Sequence, residues 1–276
     1  ALKAKYGGVL EELNANVIKS NDYVKIREYS LEILRTNIEM LRYYSKLDAL
    51  VNAFEKNGGD EMIKKAADVK SWSPGYFKNY ERKIDEETFA ALLQMYYNDV
   101  DKDYIFKGLE SLAPNSDQYT ANVKALFDAS YLNSEEKLNE LLIKKPEDLA
   151  NSIKSDPAYI FYKEMIDQYN VKVAPNVTLY EGKVTSGMER YMAAQMEVFK
   201  DRKFYPDANS TLRVTYGKVN SYAPRDAVKY EFQTYLDGVM EKYIPGNYEF
   251  DLPPKLIELY EKKDFGPYAE KRKIPV

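Results

Sequence analysis

The sequence predicts a mainly α chain: an irregular antiparallel helical bundle followed by a short, incomplete β or mixed segment. Three observations predict it. Apolar residues recur at helical spacing from Tyr6 to about Lys203. The loops between those helices are short, which sets neighbours antiparallel. After Phe204 the period changes to two, the spacing of a strand. The expected division is therefore 1–203, a helical domain, and 204–276, a second segment.

The strongest helical signal spans Asp22 to Phe54. Ile26, Ile33, Met40, Leu47 and Phe54 recur every seven residues, with Tyr23, Tyr44 and Val51 between them and Ser30 and Asn37 as polar interruptions. One long helix with a single apolar stripe is expected. It stops at Gly58-Gly59, where glycine reaches the left-handed backbone that closes a helix. A shorter helix follows over Asp60–Val69 and breaks at Ser71-Trp72-Ser73-Pro74. Pro74 then opens the next, to about Lys83. Asp85 caps a helix over Glu86–Asn98 whose Phe89, Leu92, Leu93 and Tyr96 face inward. Asp101–Leu112 ends at Pro114. Ser116 or Asp117 opens a segment to Ser130, Ser134 caps Glu135–Ile143, and Pro146 and Asp156 start the next two. A long helix over about Tyr180–Lys203 is expected to bury Met188, Tyr191, Met192, Met196 and Phe199. No fixed period marks a repeat array.

Thr211, Arg213, Thr215 and Gly217 then alternate with Leu212, Val214, Tyr216 and Lys218. A lone strand leaves its backbone groups unpaired and is marginal in water. The helical part offers no second strand, so the segment after Tyr205 is expected to belong to a sheet whose other strands lie elsewhere. Asp226–Lys242 reads equally as helix or strand. Pro253-Pro254 begins a short helix over Lys255–Lys263, closed by Gly266-Pro267, and Ile274-Pro275-Val276 is an apolar run.

Composition excludes several classes of function. A net charge of −4 gives no electrostatic case for nucleic acid. The longest basic run, Lys271–Lys273, reads as a solvated tail. No 18-residue apolar run spans a membrane. The chain has no Cys and no His, which removes disulfides, thiolate metal sites, a cysteine nucleophile and the imidazole of a Ser-His-Asp triad. No cofactor and no metal site is expected. The 26 tyrosines read as rings packed in a core with wet hydroxyls. Asp85-Glu86-Glu87 and Asp99, Asp101 and Asp103 read as solvated helix ends, because the latter run lacks the central Gly of a calcium loop. Asn176-Val177-Thr178 and Asn209-Ser210-Thr211 match a glycosylation sequon by accident.

Residue order becomes specific in the last quarter. The blocks DANSTLRVTYGKV (207–219), YAPRDAVKYEFQTYLDGVMEKYIPG (222–246) and FDLPPKLIELYEKKDFGPYA (250–269) resemble the dipeptidyl-peptidase 7 and 11 family of bacterial serine exopeptidases. KYGGVLEEL (5–13) resembles it more weakly, and the helical part in pattern. The resemblance implies a chymotrypsin-like double β-barrel with a Ser-His-Asp triad, a helical domain inserted as a cap over the cleft, and release of dipeptides from peptide N-termini in the periplasm. It implies that 1–203 is the cap and 204–276 the start of the returning barrel. All three catalytic positions then fall outside the chain, which should be inactive alone. Asp207, Asn209, Thr211 and Arg213 are the family-motif positions, read as turn and strand residues. The implied partners are the peptide substrate of the full-length protein and the remainder of the catalytic domain. Without partner strands, the last seventy or so residues are expected either to be mobile or to pair through the unpaired edge with another copy, as a homodimer. The alternative reading is a Tyr-rich helical module that binds glycans or another protein.

Overall fold

The structure, a computed structural model, describes residues 2–206, 208, 210–270 and 273–276. They divide into two compact units, one running to Phe204 and one from Tyr205 to Val276.

The first unit is helical throughout. It comprises α1 (Leu2–Tyr6), α2 (Val9–Leu31), α3 (Glu39–Asn57), α4 (Gly59–Asn79), α5 (Arg82–Asp99), α6 (Lys107–Ser111), α7 (Tyr119–Ala129), α8 (Glu135–Leu142), α9 (Pro146–Ser155), α10 (Pro157–Gln168) and α11 (Ala174–Val198). One hydrophobic core joins the end of α2 to the start of α11. At its centre Phe89 meets the edge of Phe127, ring centroids 5.4 Å apart, and Phe161 at 5.2 Å. Such offset aromatic pairs add to what burial alone contributes.

The seven-residue stripe is buried as expected at Ile26, Ile33, Met40 and Leu47. It is not carried by one helix. A π-helical turn over Glu32–Asn37 and an extended Ile38 (φ −100°, ψ 100°) separate α2 from α3. The break frees the first N–H groups of α3, and a carboxylate from another helix takes them. Asp85 accepts from Glu39 N at 2.7 Å and Met40 N at 3.0 Å. Asp85 therefore does not cap its own helix; α5 starts earlier, at Arg82, behind Glu81.

Two further differences follow. Pro74 does not break the chain but sits inside α4. Proline has no N–H for the carbonyl four residues back. Ser73 Oγ donates to that carbonyl, Lys70 O, at 3.0 Å and fills the gap. Between α5 and α7 the expected single helix Asp101–Leu112 becomes a 3₁₀ turn (Lys102–Tyr104) and α6. Helix ends follow the sequence more closely: Gly58 closes α3 at φ +85°, Ser134 caps α8, and Asp156 caps α10.

Helices α1 and α2, taken in chain order, run antiparallel to α11. Lys5 pairs with Glu197 (2.6 Å), Glu12 with Arg190 (2.9 Å) and Arg27 with Glu181 (2.5 Å), the numbers rising along one helix as they fall along the other. Tyr23 stacks on Tyr180, and Gly187 lies so close to Leu13 that an added Cβ would stand 3.0 Å from it. α1 and α2 lie along one side of α11 and leave its other faces open. Met188, Met192, Met196 and Phe199, expected inside, are exposed, and Tyr191 is half-buried.

The second unit has little regular structure. Residues 211–220 form neither helix nor strand, and the strand expected at Thr211–Lys218 is absent. The only described sheet is a hairpin, β1 (Tyr222–Arg225) with β2 (Val228–Tyr230), antiparallel, pairing Tyr222 with Tyr230 and Arg225 with Val228. Helices α12 (Leu236–Glu241) and α13 (Pro254–Lys262) follow, so the ambiguous 226–242 stretch holds both a strand and a helix. The chain end returns to the start of α12: Leu236 N donates to Ile274 O (2.9 Å) and Val276 N to Thr234 O (3.1 Å). No described helix is long and apolar enough to cross a membrane.

Candidate functional site

Catalysis needs an accessible nucleophile beside a base. One constellation has the right residue types. In the loop before α8, Ser130 Oγ lies 2.7 Å from Tyr44 Oη, and that hydroxyl donates to Asp156 Oδ2 at 2.7 Å. Asp156 also accepts from Tyr131 N (2.8 Å), Ala158 N (2.8 Å) and Tyr159 N (3.3 Å). Ser130, Tyr44 and Asp156 are all buried, so no substrate reaches the hydroxyl. Burial first, then the Asp156 charge, holds the Tyr44 hydroxyl far above its ordinary range, the opposite of an activated group. The cluster ties α3 to the start of α10 and is structural.

Asp85 is the second buried carboxylate. It accepts from Tyr80 Oη at 3.2 Å besides the two α3 amides. Burial raises its pKa, against the lowering effect of those hydrogen bonds. Neither the Asp85 nor the Asp156 network has the access that chemistry on a substrate requires. Among the described residues no group of three or more acidic, His or Cys side chains converges as a metal site would.

Accessible concave surfaces are of another kind. A cleft of about 370 Å³ between α3, α9 and α10 is lined by Asp48, Asn52, Glu55, Lys154, Tyr159 and Lys163, among others. Its charges are already matched: Lys154 pairs with Glu55 (2.5 Å), Lys163 with Asp167 (3.0 Å), and Asp48 accepts from Tyr159 Oη (2.8 Å) and Asn52 Nδ2 (2.8 Å). In the second unit a cavity of about 370 Å³ lies beside α12, lined by Tyr235, Val239, Lys242, Phe250 and Leu252, among others. Nearby, Asp237 accepts from Tyr260 Oη (2.8 Å) and meets Lys273 (3.1 Å); these bonds, the Tyr260 one foremost, hold its carboxyl below the usual range.

Of the four family-motif positions, two are described. Thr211 and Arg213 lie exposed in the irregular 211–220 segment, with no side-chain partner among the described residues. Asp207 and Asn209 lie outside the described residues, as do Lys271 and Arg272 of the basic run. Next to Arg213, Leu212 is 91% exposed and Tyr216 93%. These side chains have strand-like alternation but no strand beside them. The trans-capping role of Asp85 and the second oxygen of Asp156 had no local sequence signal, because their partners lie 45 and 112 residues away at Met40 and Tyr44.

Comparison with known proteins places this geometry in context. The peptidase S46 family model matches residues 1–276. An Asp/Glu-specific dipeptidyl-peptidase of Flavobacterium psychrophilum is 34% identical over 99% of this chain and 37% of its own length. Dipeptidyl-peptidase 7 of Phocaeicola vulgatus is 34% identical over 96% of this chain and 36% of its own. Among solved structures, Porphyromonas endodontalis DPP11 in an alternate conformation aligns with a TM-score of 0.61 at 25% identity, covering 99% of this chain and 41% of that one. The same protein with the dipeptide Arg-Glu aligns at 0.55, also at 25% identity, over 99% of this chain and 39% of that one. The chain thus spans under half the length of the proteins it resembles.

Proposed function

This chain belongs to the peptidase S46 family, and on that premise we propose that it supplies the helical cap and the first returning stretch of the catalytic domain in a serine dipeptidyl-peptidase. That enzyme releases dipeptides from the N-termini of peptides in the periplasm. The observation that carries this reading is the match along nearly the whole chain to dipeptidyl-peptidases of both kinds, together with a sequence that contains no imidazole. The helical unit, residues up to Phe204, acts as a cap that limits access to free N-termini and shields the reaction from water. The segment from Tyr205 offers alternating exposed side chains, among them Leu212, Val214 and Tyr216, to strands of the remaining catalytic domain.

The test is hydrolysis of dipeptide-linked fluorogenic amides. The full-length protein that contains this chain should release dipeptides and lose that activity to a fluorophosphonate. The chain alone should show no turnover. A full-length protein without dipeptidyl activity would sink the peptidase reading. Fluorophosphonate-sensitive turnover by the chain alone would sink its assignment as a cap.

A further inference from the structure

The chain has one Trp, and the structure leaves it at the surface: Trp72 is 58% exposed near the middle of the C-terminal half of α4. It stands over a groove of about 230 Å³ between α3 and α4. On α4, Lys65, Asp68, Val69 and Trp72 line the groove at spacings of three and four, so they share one face; Lys46, Ala49 and Leu50 do the same on α3. Leu50 and Val69 are buried and form an apolar floor.

Charge distinguishes this groove from the cleft around Asp48. Lys46 Nζ lies 3.3 Å from the centroid of the Trp72 ring. Neither Lys46 nor Lys65 has a carboxylate within ion-pair distance among the described residues, whereas Lys124, Lys154 and Lys163 each do. Two ammonium groups without an ion-pair partner among the described residues therefore flank an exposed indole and an apolar floor, with the Asp68 carboxylate on the same rim.

From this arrangement we infer that the α3–α4 groove binds an acidic peptide segment, seating one acidic side chain between Lys46 and Lys65. The methylenes of that side chain lie against Trp72 and the floor, its carboxylate reaches the two ammonium groups, and Asp68 accepts a peptide N–H. The volume suits one such side chain and its backbone. A polyuronate carries no amide donor along its backbone and sets its regularly spaced charges against Asp68, so the rim favours peptide. The inference does not rest on the peptidase reading, because the groove lies wholly within the helical unit and its occupancy requires no chemistry.

Trp72 supplies its own readout. The chain is titrated with a capped tripeptide, Glu-Leu-Glu, and its fluorescence followed; the same peptide with Lys in place of Glu, and a hexuronate oligomer, serve as competitors. The expected result is a saturable change with Glu-Leu-Glu alone. The Lys46→Gln/Lys65→Gln variant should bind roughly three- to tenfold more weakly, the scale of two partly exposed ion pairs. Both lysines are half-buried and neither belongs to the hydrophobic core, so the variant should keep its helical circular dichroism. Calorimetric titration of Trp72→Ala should show binding lost. The inference is overturned if no saturable change occurs, if the Lys peptide or the hexuronate binds as well as Glu-Leu-Glu, or if the double variant binds unchanged.

Discussion

Tyr44, Tyr96 and Tyr119 keep their rings in the core and put their hydroxyls on protein acceptors: buried Asp156, and half-buried Tyr104 O (2.9 Å) and Ala90 O (2.7 Å). Tyr43 does the same on Val69 O at 3.2 Å. The sequence-based expectation was a core ring with a wet hydroxyl. The ring half of it was legible from composition, but the hydroxyl partners, one carboxylate and several backbone carbonyls, lie 8 to 112 residues away, which no local pattern announces. Burial pushes the Tyr43 and Tyr119 hydroxyls up to about 12, and Tyr44 well above its ordinary value. Unfolded tyrosines ionise near pH 10. Because the folded values are raised, these residues contribute stability that is fully present below about pH 10 and is lost as pH rises through about 12. Alkaline titration should therefore show tyrosinate absorbance rising together with loss of helical circular dichroism. Smooth ionisation of all tyrosines near pH 10, with helicity retained, would contradict this account.

At the scale of elements, the sequence located apolar stripes better than helix ends. The heptad from Ile26 to Leu47 is buried, yet the helix carrying it is interrupted at Ile38, because Asp85 supplies the cap that a second helix start needs. α4 shows the reverse: a proline that should end a helix is tolerated, because Ser73 serves the carbonyl that Pro74 strands. That substitution of one donor for another is open to a double-mutant cycle. Ser73→Ala should cost about 1 kcal/mol in urea unfolding, the scale of a carbonyl left without its donor. Pro74→Ala should stabilise α4 by about 1 kcal/mol or more, since it restores the N–H. In the Pro74→Ala background, Ser73→Ala should then cost little. Strict additivity of the two changes would mean that Ser73 does not compensate for Pro74. The misplaced Met188–Phe199 face of α11 has a different origin: periodicity marks an apolar side but does not say whether a neighbour covers it.

For the molecule as a whole, mainly helical architecture was legible from periodicity, whereas the alternating run after Asn209 announced a strand that residues 211–220 do not form. Family wording was dense in the last quarter and weaker at 5–13; elsewhere the helical unit resembles the family in a pattern that many sequences satisfy, yet the family model matches it too. The irregular 211–220 segment sets a testable boundary, since exposed backbone without a ladder is where proteases cut first. Brief trypsin treatment should cleave after Arg213 or Lys218 before any site within α3 to α10, and release a protease-resistant helical fragment. First cuts inside those helices would show that the bundle is not the more stable part. Finally, the ion pair of Lys5 with Glu197, and the hydrogen bond from Tyr6 Oη to the same carboxylate at 2.7 Å, hold the chain on its way into the bundle against the chain on its way out. A bundle fastened at its own neck asks little of the polypeptide on either side, so it is transplantable: a single surface loop of some other protein, its two ends no farther apart than Lys5 and Glu197, has the geometry to accept the whole unit as a graft.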